Sequence, residues 1–169
     1  MVDMKYLKYS LLLLVFICFG CELNNTPTSK VDELFNKYQM VDDDISQGIT
    51  SVLDEQNYNE AQRKRYREIL ERQYRDLSYE IKDEKIDGDE AIITVEIEVY
   101  DYKKAISNLT YDSSTTSLEE YNNKKLDLLE KAKDKVVYTL DIDLSKDNDG
   151  NWKVNALSNA NLKKIQGMY

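Results

Sequence analysis

The stretch Asp76–Tyr102, DLSYEIKDEKIDGDEAIITVEIEVYDY, restricts the fold more than any other part of the chain, because it writes both arms of a β-hairpin. Its second arm alternates with period two: Ala91, Ile93, Val95, Ile97 and Val99 share one face, and Thr94, Glu96, Glu98 and Tyr100 share the other. Successive side chains of a strand point to opposite sides, so the pattern predicts a half-buried strand with one wet face. The first arm carries Leu77, Tyr79 and Ile81 and is joined to the second through Asp87-Gly88, a pair suited to the positive φ of tight hairpin turns. A sheet with one apolar face has to be covered, and the flanking segments have the periodicity to cover it.

Ser29 with Asp32 reads as a capping box, and Val31, Leu34, Phe35, Tyr38, Val41, Ile45, Ile49 and Val52 then recur at helical spacing. This predicts one long amphipathic helix with a kink or break at Gly48. Asp42-Asp43-Asp44 in its middle reads as a solvated face, because consecutive helical positions point in different directions. A second helix spans Tyr58 to about Arg75, with Tyr66, Ile69, Leu70, Gln73, Tyr74 and Leu77 on one arc. Lys103–Thr116 reads as a loop, and Ser117–Glu120 as a capping box opening a helix through Leu118, Tyr121, Leu128, Leu129 and Ala132. A third strand alternates Val136, Tyr138, Leu140, Ile142 and Leu144 against Val137, Thr139, Asp141 and Asp143. Asp147-Asn148-Asp149-Gly150 turns it into a fourth strand with Trp152, Val154 and Ala156 on one side. Ser158–Tyr169 reads as a short closing helix. The predicted class is α+β: N-terminal helices packed on a curved antiparallel sheet of about four strands, with a helical insert between two hairpins.

With 169 residues there is room for one domain, assigned to residues 31–169. The chain contains no His, which excludes Ser-His-Asp and Cys-His catalysis and removes the commonest transition-metal ligand. Its formal net charge of -9 speaks against nucleic-acid binding, which needs a basic surface to displace phosphate counterions. Both cysteines, Cys18 and Cys21, lie near the start, so no disulfide staples the domain.

That start carries Lys5 and Lys8, then an apolar run Leu11–Phe19 too short to span a bilayer, then Gly20-Cys21. It resembles a bacterial lipoprotein signal, in which a small residue precedes the cysteine that is lipidated; Gly20 and Cys21 match those positions, while Cys18 and Phe19 depart from the usual pattern. The resemblance implies a signal peptide over residues 1–20, lipidation at Cys21 and a polar tether over residues 21–30. It places the domain at the outer face of the cytoplasmic membrane, held through its lipid anchor. An ordinary secretory peptide or an uncleaved anchor helix is the alternative on the same residues.

The order of elements, with Asp149-Gly150-Asn151-Trp152-Lys153-Val154 opening the last strand, resembles small NTF2-like or cystatin-like domains of Gram-positive envelope lipoproteins over Val31 to about Ala156. The resemblance implies a sheet wrapped around helices, leaving a cone that either holds a ligand or is filled by side chains. Tyr79, Val95, Tyr138 and Trp152 are the candidate cone-lining residues.

Glu96, Glu98, Asp141 and Asp143 form a candidate acidic face, if their two strands are neighbours. The alternative reading of these carboxylates is a charged surface that keeps sheets from sticking. All five arginines lie in the second helix; Arg63, Arg67 and Arg75 are a candidate basic docking face, or alternatively members of i,i+4 pairs with glutamates. The Asp147–Gly150 turn fails as an EF-hand loop, because Ser145 and Ala156 stand where Asp and Glu are needed. No metal and no cofactor is expected. No inward carboxylate accompanies the inward tyrosines, so an NTF2-like acid/base enzyme is the weakest alternative. The expected function is a non-catalytic binding or protein-interaction module with a small ligand or envelope proteins as partners, and the first alternative is a scaffold subunit of an envelope complex.

Overall fold

A computed structural model describes residues 25–169. The expected signal peptide and the lipidation residue Cys21 lie outside the described residues. The hairpin consists of β1 (Ser78–Asp87) and β2 (Glu90–Tyr100), and Asp87 pairs with Glu90. Gly88 and Asp89 are therefore the two loop residues. Gly88 has φ 63 at the first loop position, the conformation a type II′ turn demands. β2 pairs along its whole length with β3 (Lys135–Lys146), from Glu90 opposite Ser145 to Tyr100 opposite Lys135. β4 (Trp152–Val154) pairs only with Leu144–Lys146. All pairings are antiparallel, in the order β1-β2-β3-β4.

Helix α1 (Pro27–Met40) opens the described domain. Thr26 caps it by accepting from the Ser29 N–H while the Ser29 hydroxyl answers from N3, and Pro27 supplies a pre-set φ at the first turn. The helix therefore starts four residues before the expected domain boundary at Val31, and residues 27–30 are not tether. The single long helix is also corrected. Val41 adopts φ 51, ψ 54; its N–H bonds to Tyr38 O and that of Asp42 to Lys37 O, the two bonds of a Schellman stop. Asp42 then caps α2 (Asp43–Asp54) through the Ile45 N–H, with Asp43 and Asp44 in the first turn where the helix dipole favours negative charge. The aspartate run is a helix start, and Gly48 lies uneventfully inside α2.

Helix α3 (Glu60–Arg75) buries Tyr66, Ile69, Leu70, Gln73 and Tyr74 of the predicted arc, and Leu77 is buried just beyond its end. The insert holds a short α4 (Tyr102–Ala105) within the segment expected to be loop, then α5 (Leu118–Lys131) capped by Ser117. α5 turns Asn122, Leu126 and Leu129 inward, whereas Leu118 and Leu128 of the predicted stripe are exposed. α6 (Asn159–Ile165), capped by Ser158, closes the chain. No helix among the described residues is long and apolar enough to cross a membrane.

The core lies between the sheet's inner face and α1 and α3. Ile93, Val95, Ile97, Leu140 and Ile142 are fully buried against Val31, Phe35, Ile69, Leu70 and their neighbours. At one end the layers are stapled by Gln73, whose Oε1 accepts the Tyr100 N–H at 2.9 Å and whose Nε2 donates to Tyr100 O at 3.1 Å. Gly167 reaches the same spot with φ 69, and its carbonyl accepts the Lys103 N–H. A Cβ on Gly167 would stand 2.0 Å from Tyr100 O and 2.4 Å from the Gln73 amide. Both the backbone conformation and the space require glycine. Gly167→Ala is expected to lower stability by more than about 2 kcal/mol, because strain at a positive φ adds to a clash with backbone. Urea denaturation followed by far-UV circular dichroism measures it, and a midpoint equal to wild type would show that the tail is not held at this point.

Candidate functional site

A groove of about 610 Å³ between α1 and β4 combines an apolar surface with converging polar groups. The sheet's fourth strand is only three residues long, so α1 overhangs its end and Leu34, Trp152, Val154 and Leu157 form an apolar floor. Trp152 is held from two sides. Its N–H donates to Asn25 Oδ1 at 2.8 Å, Lys146 Nζ stands 4.9 Å from its ring centroid, and Lys146 in turn pairs with Asp89 at 3.1 Å. Asn25 also donates to Gly150 O, so one amide ties the first described residue to the β3–β4 turn.

The rim carries charges of both signs that neutralise each other locally. Glu33 sits between Lys30 and Lys37 at 3.2 and 3.6 Å, and its carboxyl is held below the usual range chiefly by the hydrogen bond from Lys30. Across the groove, Lys153 pairs with Asp147 at 2.9 Å. Asp147 Oδ1 also accepts from the N–H groups of Asp149 and Asn151. The Lys153 bond, followed by those backbone donors, brings the Asp147 carboxyl down to about 2. The arrangement suits a small amphipathic molecule: a flat apolar contact with a rim able to meet either charge.

Of the candidate cone residues, only Trp152 reaches this groove. Val95 is completely buried, so the space behind it is filled. Tyr79 stacks on Phe35 with ring centroids 4.7 Å apart and donates to Asp32; Tyr138 donates to the Tyr169 carbonyl. Both tyrosines are half-buried, and burial raises the pKa of each. Side chains of α1 and the C-terminal tail thus occupy the expected cone.

The candidate acidic residues do lie on neighbouring strands, but in staggered register. Glu96 opposes Thr139, Glu98 opposes Val137, Asp141 opposes Thr94 and Asp143 opposes Ile92. Each of the first three has a partner: Lys82 at 3.6 Å for Glu96, Lys135 at 3.3 Å for Glu98, and the Thr94 hydroxyl at 2.8 Å for Asp141. Among the described residues, no group of three or more carboxylate or cysteine side chains is placed to hold a metal ion.

The arginines of the candidate basic face are engaged within the domain. Arg63 donates to Leu53 O and pairs with Asp54, and Arg67 donates to the Thr50 hydroxyl, so both hold α2 against α3. Only Arg75 makes an i,i+4 pair, with Glu71. Arg65 bridges to Asp127 and Glu130 on α5, and Arg72 donates to the Leu129 and Glu130 carbonyls at that helix's C-terminus. These partners lie on other helices, which helical spacing within α3 cannot reveal. The same holds for Leu34 and Leu157 in the groove and for Asn25 at its edge. Lys125 of α5 lies 5.9 and 6.0 Å from the Tyr58 and Tyr66 ring centroids, and burial lowers its pKa.

No protein-family model matches the chain, and no curated protein matches it. Among solved structures, ycdA from Bacillus subtilis, a candidate lipoprotein, is similar with a TM-score of 0.44 and 14% identity, over 88% of this chain and 50% of that chain. This chain thus spans about half the length of that protein.

The Asp147 carboxylate ties the turn to Lys153, so the groove's outer wall has a calculable pH response. The group's folded pKa is depressed from 3.8 to about 2, so its contribution is fully present above pH 3.8 and is lost as pH falls through 2. NMR titration of the Asn151 and Trp152 amides is expected to show a transition near the lower value, and Asp147→Asn is expected to abolish it. A transition near 3.8 in the wild type would mean that Lys153 does not hold the carboxylate in solution.

Proposed function

We propose that the chain is a membrane-anchored extracytoplasmic lipoprotein that binds a small amphipathic ligand, without catalysis, in the groove between α1 and β4. The observation that carries this reading is the position of Asn25. It is bonded to the β3–β4 turn at the groove's edge, and it follows Cys21, the cysteine of the lipoprotein-like signal, by four residues. Even a fully extended chain of that length covers at most about 14 Å. An anchored domain would therefore hold this groove close to the lipid surface, where amphipathic molecules concentrate. Two acyl chains on the cysteine would make such anchoring stable.

The scaffold reading has a specific observation in its favour: Val95 and its neighbours fill the sheet's interior, leaving outer surfaces as the places for contact. The NTF2-like or cystatin-like comparison adds no further support, since the cone it implies is occupied by Phe35, Tyr79 and the C-terminal tail.

Expression of the full chain in a bacterial host tests the proposal in two steps. Wild-type protein is expected in the membrane fraction, and Cys21→Ser is expected to move most of it to the soluble extracytoplasmic fraction. Native mass spectrometry of the detergent-released wild type is then expected to show a defined adduct, lost on denaturation and reduced at least about tenfold by Leu157→Asp, which places a charge on the apolar floor. Bare protein from both variants would end the ligand-binding reading and leave the scaffold.

A further inference from the structure

The two edges of the sheet are treated differently. Along β3 beyond the short β4, the outward carbonyls are met by α6: Lys164 Nζ donates to Thr139 O at 2.8 Å and Asn161 Nδ2 to Asp141 O at 2.9 Å. Along β1, no described group outside β2 hydrogen-bonds to the main chain of residues 78–87. Ten residues of edge strand are left open. An open edge is a template for another strand unless something on it rejects pairing.

What β1 carries is a bulge and alternating charge. Before the bulge, Ser78 and Glu80 face outward with Glu98 and Glu96, while Tyr79 and Ile81 face the core with Ile97 and Val95. After the shift between Ile81 and Asp83 the order inverts: Asp83 and Lys85 face outward with Thr94 and Ile92, and Glu84 and Ile86 lie on the inner side with Ile93 and Ala91. Lys82, at the bulge, turns outward to Glu80 and Glu96.

A strand that pairs antiparallel with its own copy must bring side chains of the same face together. In a regular strand this requires residue numbers of equal parity. The bulge reverses parity halfway, so β1 pairs with itself in full only when a residue before the bulge meets one after it. The register that aligns all ten residues, with Ser78 opposite the second copy's Asp87, satisfies this at every position. It also sets Glu80 against Lys85 and Lys82 against Asp83, with Tyr79 against the 55% exposed Ile86. By symmetry each contact occurs twice. Sliding by two residues one way puts Glu80 against Asp83; sliding the other way puts Lys82 against Lys85 and Glu80 against Asp87. Like charges directly opposite are destabilising, so charge and parity select the same register.

We propose that the β1 edge is a homodimerisation surface, pairing antiparallel with β1 of a second copy in this register to form one continuous eight-stranded sheet. The bulge and the lysines that turn away an arbitrary strand are complementary to this one. The inference does not depend on the groove or on the anchor. An interface of this kind is small, so the association is weak.

Sedimentation equilibrium of the full chain in a mild detergent, from about 1 µM to about 1 mM, covers the relevant range of Kd. Wild type is expected to dimerise. Glu80→Lys and Lys85→Glu are each expected to weaken the dimer about tenfold, since each turns two attractive pairs into two repulsive ones. The combination E80K/K85E is expected to return to within about threefold of wild type, because the facing pairs are again of opposite sign. That rescue is specific to the dimer: within one copy the double variant puts a second positive charge beside Lys82 and restores nothing. A monomer throughout the range, a dimer indifferent to both single substitutions, or a double variant no better than the singles would each overturn the proposal.

Discussion

The side-chain amide of Gln73 is the constraint on which the rest of the molecule depends. It is completely buried, and it meets both backbone polar groups of one residue, the N–H and the carbonyl of Tyr100. A buried amide left without partners costs about 1–3 kcal/mol, so this contact has one sterically acceptable arrangement rather than a continuum of them. Gln73 shares its arc with Ile69, Leu70 and Tyr74; once its amide is docked on Tyr100, the rotation of α3 over the sheet is set. The insert leaves β2 at the same place and the C-terminus returns to it, through the Lys103 N–H bonded to the Gly167 carbonyl. Three separate parts of the chain are brought together by one polar contact in an otherwise apolar layer.

From that end the packing loosens toward the hairpin tip. Ala91 and Leu144 are still covered, but on the inner side of β1 the exposed Glu84 is met, among the described residues, only by the Thr28 hydroxyl of α1 at 3.2 Å, and Ile86 is 55% exposed. β4 is too short to continue the sheet under α1. Leu34, Val154 and Leu157 are therefore left half-buried, with apolar surface on one side only. The groove is the consequence of a strand that ends before the helix above it does. Its charged rim is held by pairs within the domain, which keeps the walls in place without spending the apolar floor on a packing partner.

Strands and the α3 arc were legible because their signals are local and periodic. Val95 buried and Glu96 half-exposed follow from alternation, and Gln73 appears on the apolar arc of α3 although its role there does not show. The stop at Val41 was not legible, because a β-branched residue is among the least suited to the left-handed region and the sequence offers no Gly or Asn to announce the break. The signal that does exist is Asp42, which caps the following helix through Ile45. The arginines misled for a different reason. Spacing on a helix identifies i,i+4 neighbours, yet Arg63, Arg65 and Arg72 take partners on α2 and α5 that only the tertiary fold supplies. Asn25 falls in the polar stretch that resembles a tether for the same cause, since its partners are Gly150 and Trp152, more than a hundred residues away.

The sheet's open edge and its groove lie on opposite sides, with β2 and β3 between them. Neighbouring strands are about 4.8 Å apart, so about 14 Å of hydrogen-bonded ladder separates β1 from β4. A second copy at β1 therefore does not cover the groove, and a molecule in the groove does not touch the edge. On a membrane the two would still affect one another indirectly. Anchoring as proposed would confine the copies to a surface and raise their effective concentration, so an edge contact too weak to persist in dilute solution would become populated there. Two grooves would then be carried by one continuous sheet and held near the same patch of lipid. A ligand with two amphipathic ends, or two ligands delivered together, would gain affinity from that pairing without any change in the contacts each groove makes.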